Sequence, residues 1–194
     1  MTELGAESVR VAGDYERAVR VSQELAQKNE LYDANPGGAN TLLQLRAYGE
    51  IAFETYDELR DAPAVVAAPV SNGTTLAGIH KGFLSLYRRG KTSRMPRMVA
   101  GSSHGKNPIV RACLKGASVC EDLRLEQIHE TPINEPLVNW HSIDGDQALE
   151  AIRSTRGWAR DASDKGMREC ARRLRKHQGL SVLPASTAGL LALV

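Results

Sequence analysis

Apolar residues recur along this chain in two rhythms. From Leu42 to Arg60, the residues Leu45, Tyr48, Ala52, Tyr56 and Leu59 fall three or four apart, which puts them on one stripe of a helix. Tyr15 to Lys28 repeats that spacing with Ala18, Val21 and Leu25, and Asp14 just before it is a suitable N-cap. Asp164 to Gln178 does so again with Met167, Cys170, Ala171 and Leu174, and Gly179 supplies a stop. Shorter helices are predicted over Leu76–Tyr87, over Ile109–Lys115, and from Asp144 as cap to about Arg156, with Ala148, Leu149 and Ile152 inward and Gly157 as a stop. The second rhythm is the short apolar run. Ala64 to Ala68 has no polar position and reads as a strand buried on both faces of a parallel sheet. Ser8–Ala12, Arg97–Gly101 and Leu180–Leu183 read as further strands. Residues 116–142 have no clear period, with a short strand expected near Pro136–Trp140.

Strands that alternate with helices predict an α/β fold: three layers, a mainly parallel sheet with helices on both faces. In such sheets ligands sit beyond the carboxyl ends of the strands. Two small polar loops fall there. The first, Ser71-Asn72-Gly73-Thr74-Thr75, follows the buried strand and opens a helix. Glycine allows unusual dihedrals and close backbone approach. A helix N-terminus has unpaired N–H groups and the positive end of the dipole, so strand, small loop and helix together suit a phosphate. The same residues also make an ordinary capped turn that binds nothing. The loop matches neither of the familiar glycine fingerprints for ATP or dinucleotides. The second loop, Ser102-Ser103-His104-Gly105-Lys106-Asn107-Pro108, would line the same cleft. In it His104 is either a general acid or base or a merely solvated side chain.

The chain has 194 residues and a net charge of +2, so no global electrostatic case exists for nucleic acid or membrane. Arg168, Arg172, Arg173, Arg175 and Lys176 crowd the last long helix, but no stacking aromatics interleave with them. They read as a solvated face with cations toward the negative end of the helix dipole. The N-terminus lacks the pattern of a signal peptide, and no run is long enough to span a bilayer. Three cysteines, Cys113, Cys120 and Cys170, are widely spaced and suit reduced thiols in a cytoplasmic protein. Five histidines lack metal-ligand spacing, so no metal site is expected.

Five segments, in order, resemble the pyridoxal-phosphate enzymes of fold type II, the tryptophan-synthase-β group, and within it the threonine synthases. They are LGAESVRVAGDYERAV, YGEIAFETYDEL, PVSNGTTLAG with the following KGF, SIDGDQALEAI and LSVLPASTAGLLAL. The resemblance implies pyridoxal 5'-phosphate as cofactor. It makes Ser71, Asn72, Gly73, Thr74 and Thr75 the phosphate-binding loop. It places the hydroxyl of Ser186 at the pyridine nitrogen, with Thr187 as second choice. Ser102, Ser103, His104 and Asn107 would lie near the substrate entrance. A hydroxyl rather than a carboxylate at the ring nitrogen favours β-elimination or replacement over transamination.

The departures from the family are as informative. The Schiff-base lysine of the group lies in an Asn-Pro-Thr-Gly-Ser-Phe-Lys type of motif, and a Ser-Gly-Asn type of loop beyond it binds the substrate carboxylate. Neither motif occurs here, and all seven lysines sit in other contexts. No catalytic residue is therefore assigned. The resemblance implies an incomplete chain, with residues 7–40 in the smaller lobe and 41–194 making most of the larger lobe, its C-terminal end missing. The expected activity of the complete enzyme is conversion of O-phosphohomoserine and water to threonine and phosphate, with this chain alone inactive. The alternatives are a threonine or serine dehydratase of the same fold, and a non-catalytic remnant that binds a phosphorylated ligand or a partner. A nucleotide-binding protein is disfavoured because no ribose-binding acid follows the loop. The expected partners are an amino-acid substrate and a second copy in a homodimer.

Overall fold

The computed structural model describes residues 2–194. They form two compact units, Met1–Pro36 and Gly37–Val194. In the first unit, α1 (Tyr15–Lys28) begins where expected, and the Asp14 carboxylate accepts the Arg17 N–H at 2.9 Å. Ala26 is the one buried residue on this helix, and Leu25 is exposed. Ser8–Ala12 is not a strand. Val9 is 69% exposed, and a strand without a neighbour has nowhere to send its backbone hydrogen bonds.

The second unit holds a parallel sheet of three strands in the order β1-β2-β3: Val65–Pro69, Arg97–Ser103 and Trp158–Ala162. Helices cover both faces, as the α/β pattern predicts. On one side α3 (Thr74–Arg88), α4 (Pro108–Lys115) and α5 (Gly145–Ser154) enclose a core of Leu76, Ile79, Phe83, Met98, Ile109 and Ile152. On the other, α6 (Asp164–Gln178) and the C-terminal turn close over Ala162, Met167, Ala185 and Ala188. The long helix α2 (Thr41–Leu59) packs on α3. Its buried stripe is Leu45, Gly49 and Ala52, whereas Tyr48 and Leu59 of the expected stripe are exposed. The reason is that Gly49 meets Gly78 and Gly82 of α3, so the helices touch through backbone and not through large side chains.

Three strand expectations change. Central β2 is buried along Met98–Ser103, but β1 is an edge strand and only Ala68 of it is buried. An apolar run therefore does not by itself mean both faces are covered. β3 was not legible, because Trp158-Ala159-Arg160-Asp161-Ala162 carries two charges. It is the other edge, where Arg160 reaches solvent and the Arg97 guanidinium lies 4.6 Å over the Trp158 ring. Leu180–Leu183 is exposed and makes no strand, and Pro136–Trp140 contributes only to the 3-10 turn Glu135–Leu137.

Candidate functional site

The loop after β1 is held from behind. The Val70 carbonyl accepts from the Ser102 hydroxyl at 2.7 Å and from Asn107 Nδ2 at 3.3 Å. The Ser71 carbonyl accepts from Asn107 Nδ2 at 2.9 Å and from the Ser142 hydroxyl at 3.0 Å. The Asn72 carbonyl accepts the Asp144 N–H, and the Gly73 carbonyl the Ala77 N–H, each at 3.0 Å. Four successive carbonyls are thus occupied, three by groups behind the loop and the fourth by the first turn of α3. The N–H groups that begin α3 have no intrahelical acceptor, by the geometry of a helix end. The backbone of such a loop presents donors and no free carbonyl, which is the chemistry an oxyanion needs.

Gly73 makes this arrangement possible. Its φ is +91°, and a Cβ there would lie 2.7 Å from Ala148 Cβ and 2.9 Å from Ile109 Cδ1. The α3 N-terminus therefore rests directly on α4 and α5. Thr74 is buried, and its hydroxyl donates to Asp144 Oδ2 at 2.5 Å. The Thr41 hydroxyl donates to Asp144 Oδ1 at 3.1 Å. Asp144 stands at the start of α5 as expected, yet its side chain does not cap that helix. It serves two threonines instead, so the Thr74 hydroxyl proton is unavailable to a ligand. Ser71, Asn72 and Thr75 remain partly accessible.

The second loop divides. Ser102, Ser103 and Asn107 are buried, the first and last behind the phosphate-type loop. Asn107 also caps α4, accepting from Ile109 N–H and Val110 N–H. Ser102 and Asn107 support the first loop from its inner side, because Asn107 follows β2 on the same edge where Ser71 follows β1, and Ser103 is buried at the end of β2. His104 is exposed, with Nδ1 3.1 Å from Asp161 Oδ2.

The C-terminal turn Pro184–Thr187 lies over the sheet. A Cβ on Gly101 of β2 would overlap the Ala188 carbonyl, and one on Gly189 would come within 2.6 Å of the β1 backbone at Ala68. Ser186 is exposed in that turn. Thr187 is buried, and its hydroxyl bonds the Pro184 carbonyl at 2.7 Å and the Met167 carbonyl at 3.2 Å. That leaves Ser186, not Thr187, with a hydroxyl to offer.

Asn139, Ser142 and Asp144 were not singled out as site residues in the sequence. Their partners lie 67, 71 and 70 positions away, and no local spacing signals that. Ser142 also lines a cleft of 580 Å³ between α3 and α5, with His80, Lys81, Cys120 and Glu150. Burial pushes the Cys120 thiol up to about 12, and the neighbouring Asp146 adds to this. Burial holds the His80 imidazole below its ordinary value. Among the described residues no cluster of three metal-ligating side chains occurs, and no helix is long and apolar enough to cross a membrane.

A parallel α/β sheet with an oxyanion-type loop at the carboxyl end of a strand defines the class, and comparison with known proteins gives the family. The pattern of the family described as "Pyridoxal-phosphate dependent enzyme" matches residues 1–194, and the chain belongs to that family. Its cofactor is pyridoxal 5'-phosphate. Among curated proteins the chain is similar to the threonine synthase of Methanocaldococcus jannaschii, 29% identical over 190 residues, which are 97% of this chain and 45% of that protein. It is 27% identical to the threonine synthase of Methanosarcina acetivorans, again over 97% of this chain and 45% of that protein. The chain thus spans about half the length of the curated relatives it matches. Among solved structures, maize serine racemase aligns with a TM-score of 0.74 at 14% identity, covering 98% of this chain and 54% of that one. Threonine deaminase isoform 2 from Solanum lycopersicum aligns with a TM-score of 0.73 at 15% identity, covering 98% and 51%. These likenesses show the fold, that of the fold type II enzymes.

Proposed function

We propose that this chain is the cofactor-phosphate-binding part of an enzyme of threonine-synthase type, which converts O-phosphohomoserine and water to threonine and phosphate. The observation that carries the binding reading is the loop whose four successive carbonyls are occupied, which leaves its N–H groups as a donor set that fits the phosphate of pyridoxal 5'-phosphate. What favours this substrate over others of the fold is that the relatives cited above, aligned over nearly the whole chain, are threonine synthases.

In this reading the backbone N–H groups of Ser71 to Thr75 hold the phosphate. The Ser186 hydroxyl donates to the pyridine nitrogen. The bound cofactor supplies an electron sink at the α-carbon of an amino acid. A neutral hydroxyl as ring partner, instead of a carboxylate, keeps the ring nitrogen largely unprotonated and steers the chemistry to elimination and replacement. His104, oriented by Asp161, stands on the exposed side of the second loop, where it can hold a proton near an incoming substrate. None of the seven lysines is assigned to carry the cofactor. Residues 7–40 belong to the smaller lobe and 41–194 to the larger, in a cytoplasmic homodimer.

The test is a comparison of O-phosphohomoserine with threonine and serine as substrates of the complete enzyme. Threonine released from O-phosphohomoserine supports the assignment. Ammonia and 2-oxo acid from threonine or serine, with no threonine from O-phosphohomoserine, would make it a dehydratase. Borohydride fixation of pyridoxal 5'-phosphate to one lysine of this chain would overturn the lysine statement.

A further inference from the structure

Behind the loop, three buried or half-buried amides are joined end to end. The N–H groups of Ile109 and Val110, at the start of α4, donate to Asn107 Oδ1 at 3.0 and 3.2 Å. Asn107 Nδ2 donates to Asn139 Oδ1 at 3.0 Å. Asn139 Nδ2 donates to Asn72 Oδ1 at 3.1 Å. Asn107 and Asn139 are 1% and 3% exposed.

Amide oxygen and nitrogen are easily exchanged in assignment, so the direction of such a chain needs a fixed reference. Each link has one. Asn107 Oδ1 faces two backbone N–H groups, which can only donate. Asn139 Nδ2 faces the His141 carbonyl at 2.9 Å, which can only accept. Asn72 Oδ1 faces the Ile143 N–H at 3.5 Å. All three amides therefore point the same way, from the α4 N-terminus toward the loop. With its oxygen taken on the inner side, Asn72 has only its NH2 group to offer, and that group has no partner among the described residues. Aligned hydrogen bonds polarise one another, so the positive end of the α4 dipole is extended through the chain to the Asn72 amino group.

We propose that Asn139 is a positioning residue for the cofactor: with Asn107 behind it, it locks the Asn72 amide so that NH2, and not oxygen, meets the phosphate. The inference rests on the reading of the loop as the phosphate site. Without Asn139 the Asn72 oxygen keeps only the long Ile143 N–H contact at 3.5 Å, so the amide can turn and bring its oxygen toward the anion.

The test measures the dissociation constants of pyridoxal 5'-phosphate and of pyridoxal, which lacks the phosphate, with the protein and its variants. Asn72→Asp keeps the acceptor that Asn139 needs and replaces the NH2 group by a charged oxygen. It should weaken pyridoxal 5'-phosphate by about tenfold or more, the worth of a hydrogen bond to a charge, and leave pyridoxal and Tm unchanged. Asn139→Ala should weaken pyridoxal 5'-phosphate severalfold, and this loss should vanish in an Asn72→Ala background. A loss that stays the same in that background, or one shared equally by pyridoxal, would reduce Asn139 to a packing role and overturn the proposal. So would unchanged affinity in Asn72→Asp, which serves if Asn139→Ala does not fold. If the unsubstituted protein binds both compounds equally, the phosphate assignment itself fails, and this inference falls with it.

Discussion

The Thr74 hydroxyl donates to Asp144 across 70 positions of sequence, at 2.5 Å and out of reach of solvent. The bond ties the first turn of α3 to the first turn of α5 beneath the phosphate-type loop. Thr74→Val keeps the shape but removes the donor, and it leaves a buried carboxylate one hydrogen bond short. The expected cost is about 1.5–3 kcal/mol in denaturant unfolding. Thr74→Ser, which keeps the hydroxyl, should lose much less. Equal stability of the Val and Ser variants would show that the bond contributes nothing.

Gly73 has two reasons to be glycine, its φ of +91° and its contact with Ala148 and Ile109. Gly73→Ala meets both at once, so roughly 2 kcal/mol or more should be lost. Cofactor affinity should fall further than stability, because the N–H groups of the loop move with the strained residue. Isothermal titration of pyridoxal 5'-phosphate beside a thermal melt separates the two effects. A variant with native affinity would deny the loop its role.

Ala188 and Gly189, which follow the turn that carries Ser186, sit on β2 because Gly101 has no side chain. Gly101→Ala should lift this turn from the sheet at a cost of about 1–3 kcal/mol. Protection from amide hydrogen exchange should drop at Ala188 and Ala192 and persist in α3. If exchange rises evenly across the domain, the turn is not specifically anchored there.

Asp61 gives the fold a pH dependence away from the site. The Ser93 hydroxyl and the N–H groups of Ser93 and Ala62 donate to it, with Arg94 nearby, and they lower its pKa from 3.8 to about 2. A carboxylate with a depressed pKa adds stability above its unfolded value, and that addition is lost as the pH falls through the folded value. The contribution of Asp61 should therefore be complete above about pH 4 and disappear toward pH 2. Asp61→Asn should flatten the stability profile in that window and leave its shape near neutrality unchanged. Equilibrium unfolding of both proteins between pH 2 and 5 checks this, and parallel profiles would contradict it.

The sequence by itself determined those features whose physics is local. The helices Tyr15–Lys28 and Asp164–Gln178 were legible to the residue, because spacing, caps and the stop at Gly179 are all contiguous. The α/β alternation and the loop at Ser71–Thr75 were legible for the same reason. Tertiary structure decided what depends on neighbours. β3 is a strand because β2 lies beside it, although its own residues argue against one. Ser8–Ala12 and Leu180–Leu183 have strand-like residues and no strand. Above all, the support of the loop was invisible. Asn139, Ser142 and Asp144 come from a stretch without periodicity or from a place that reads as a simple cap. Their role exists only because folding brings them to the inner side of Ser71, Asn72 and Thr74, where buried polar groups must find partners.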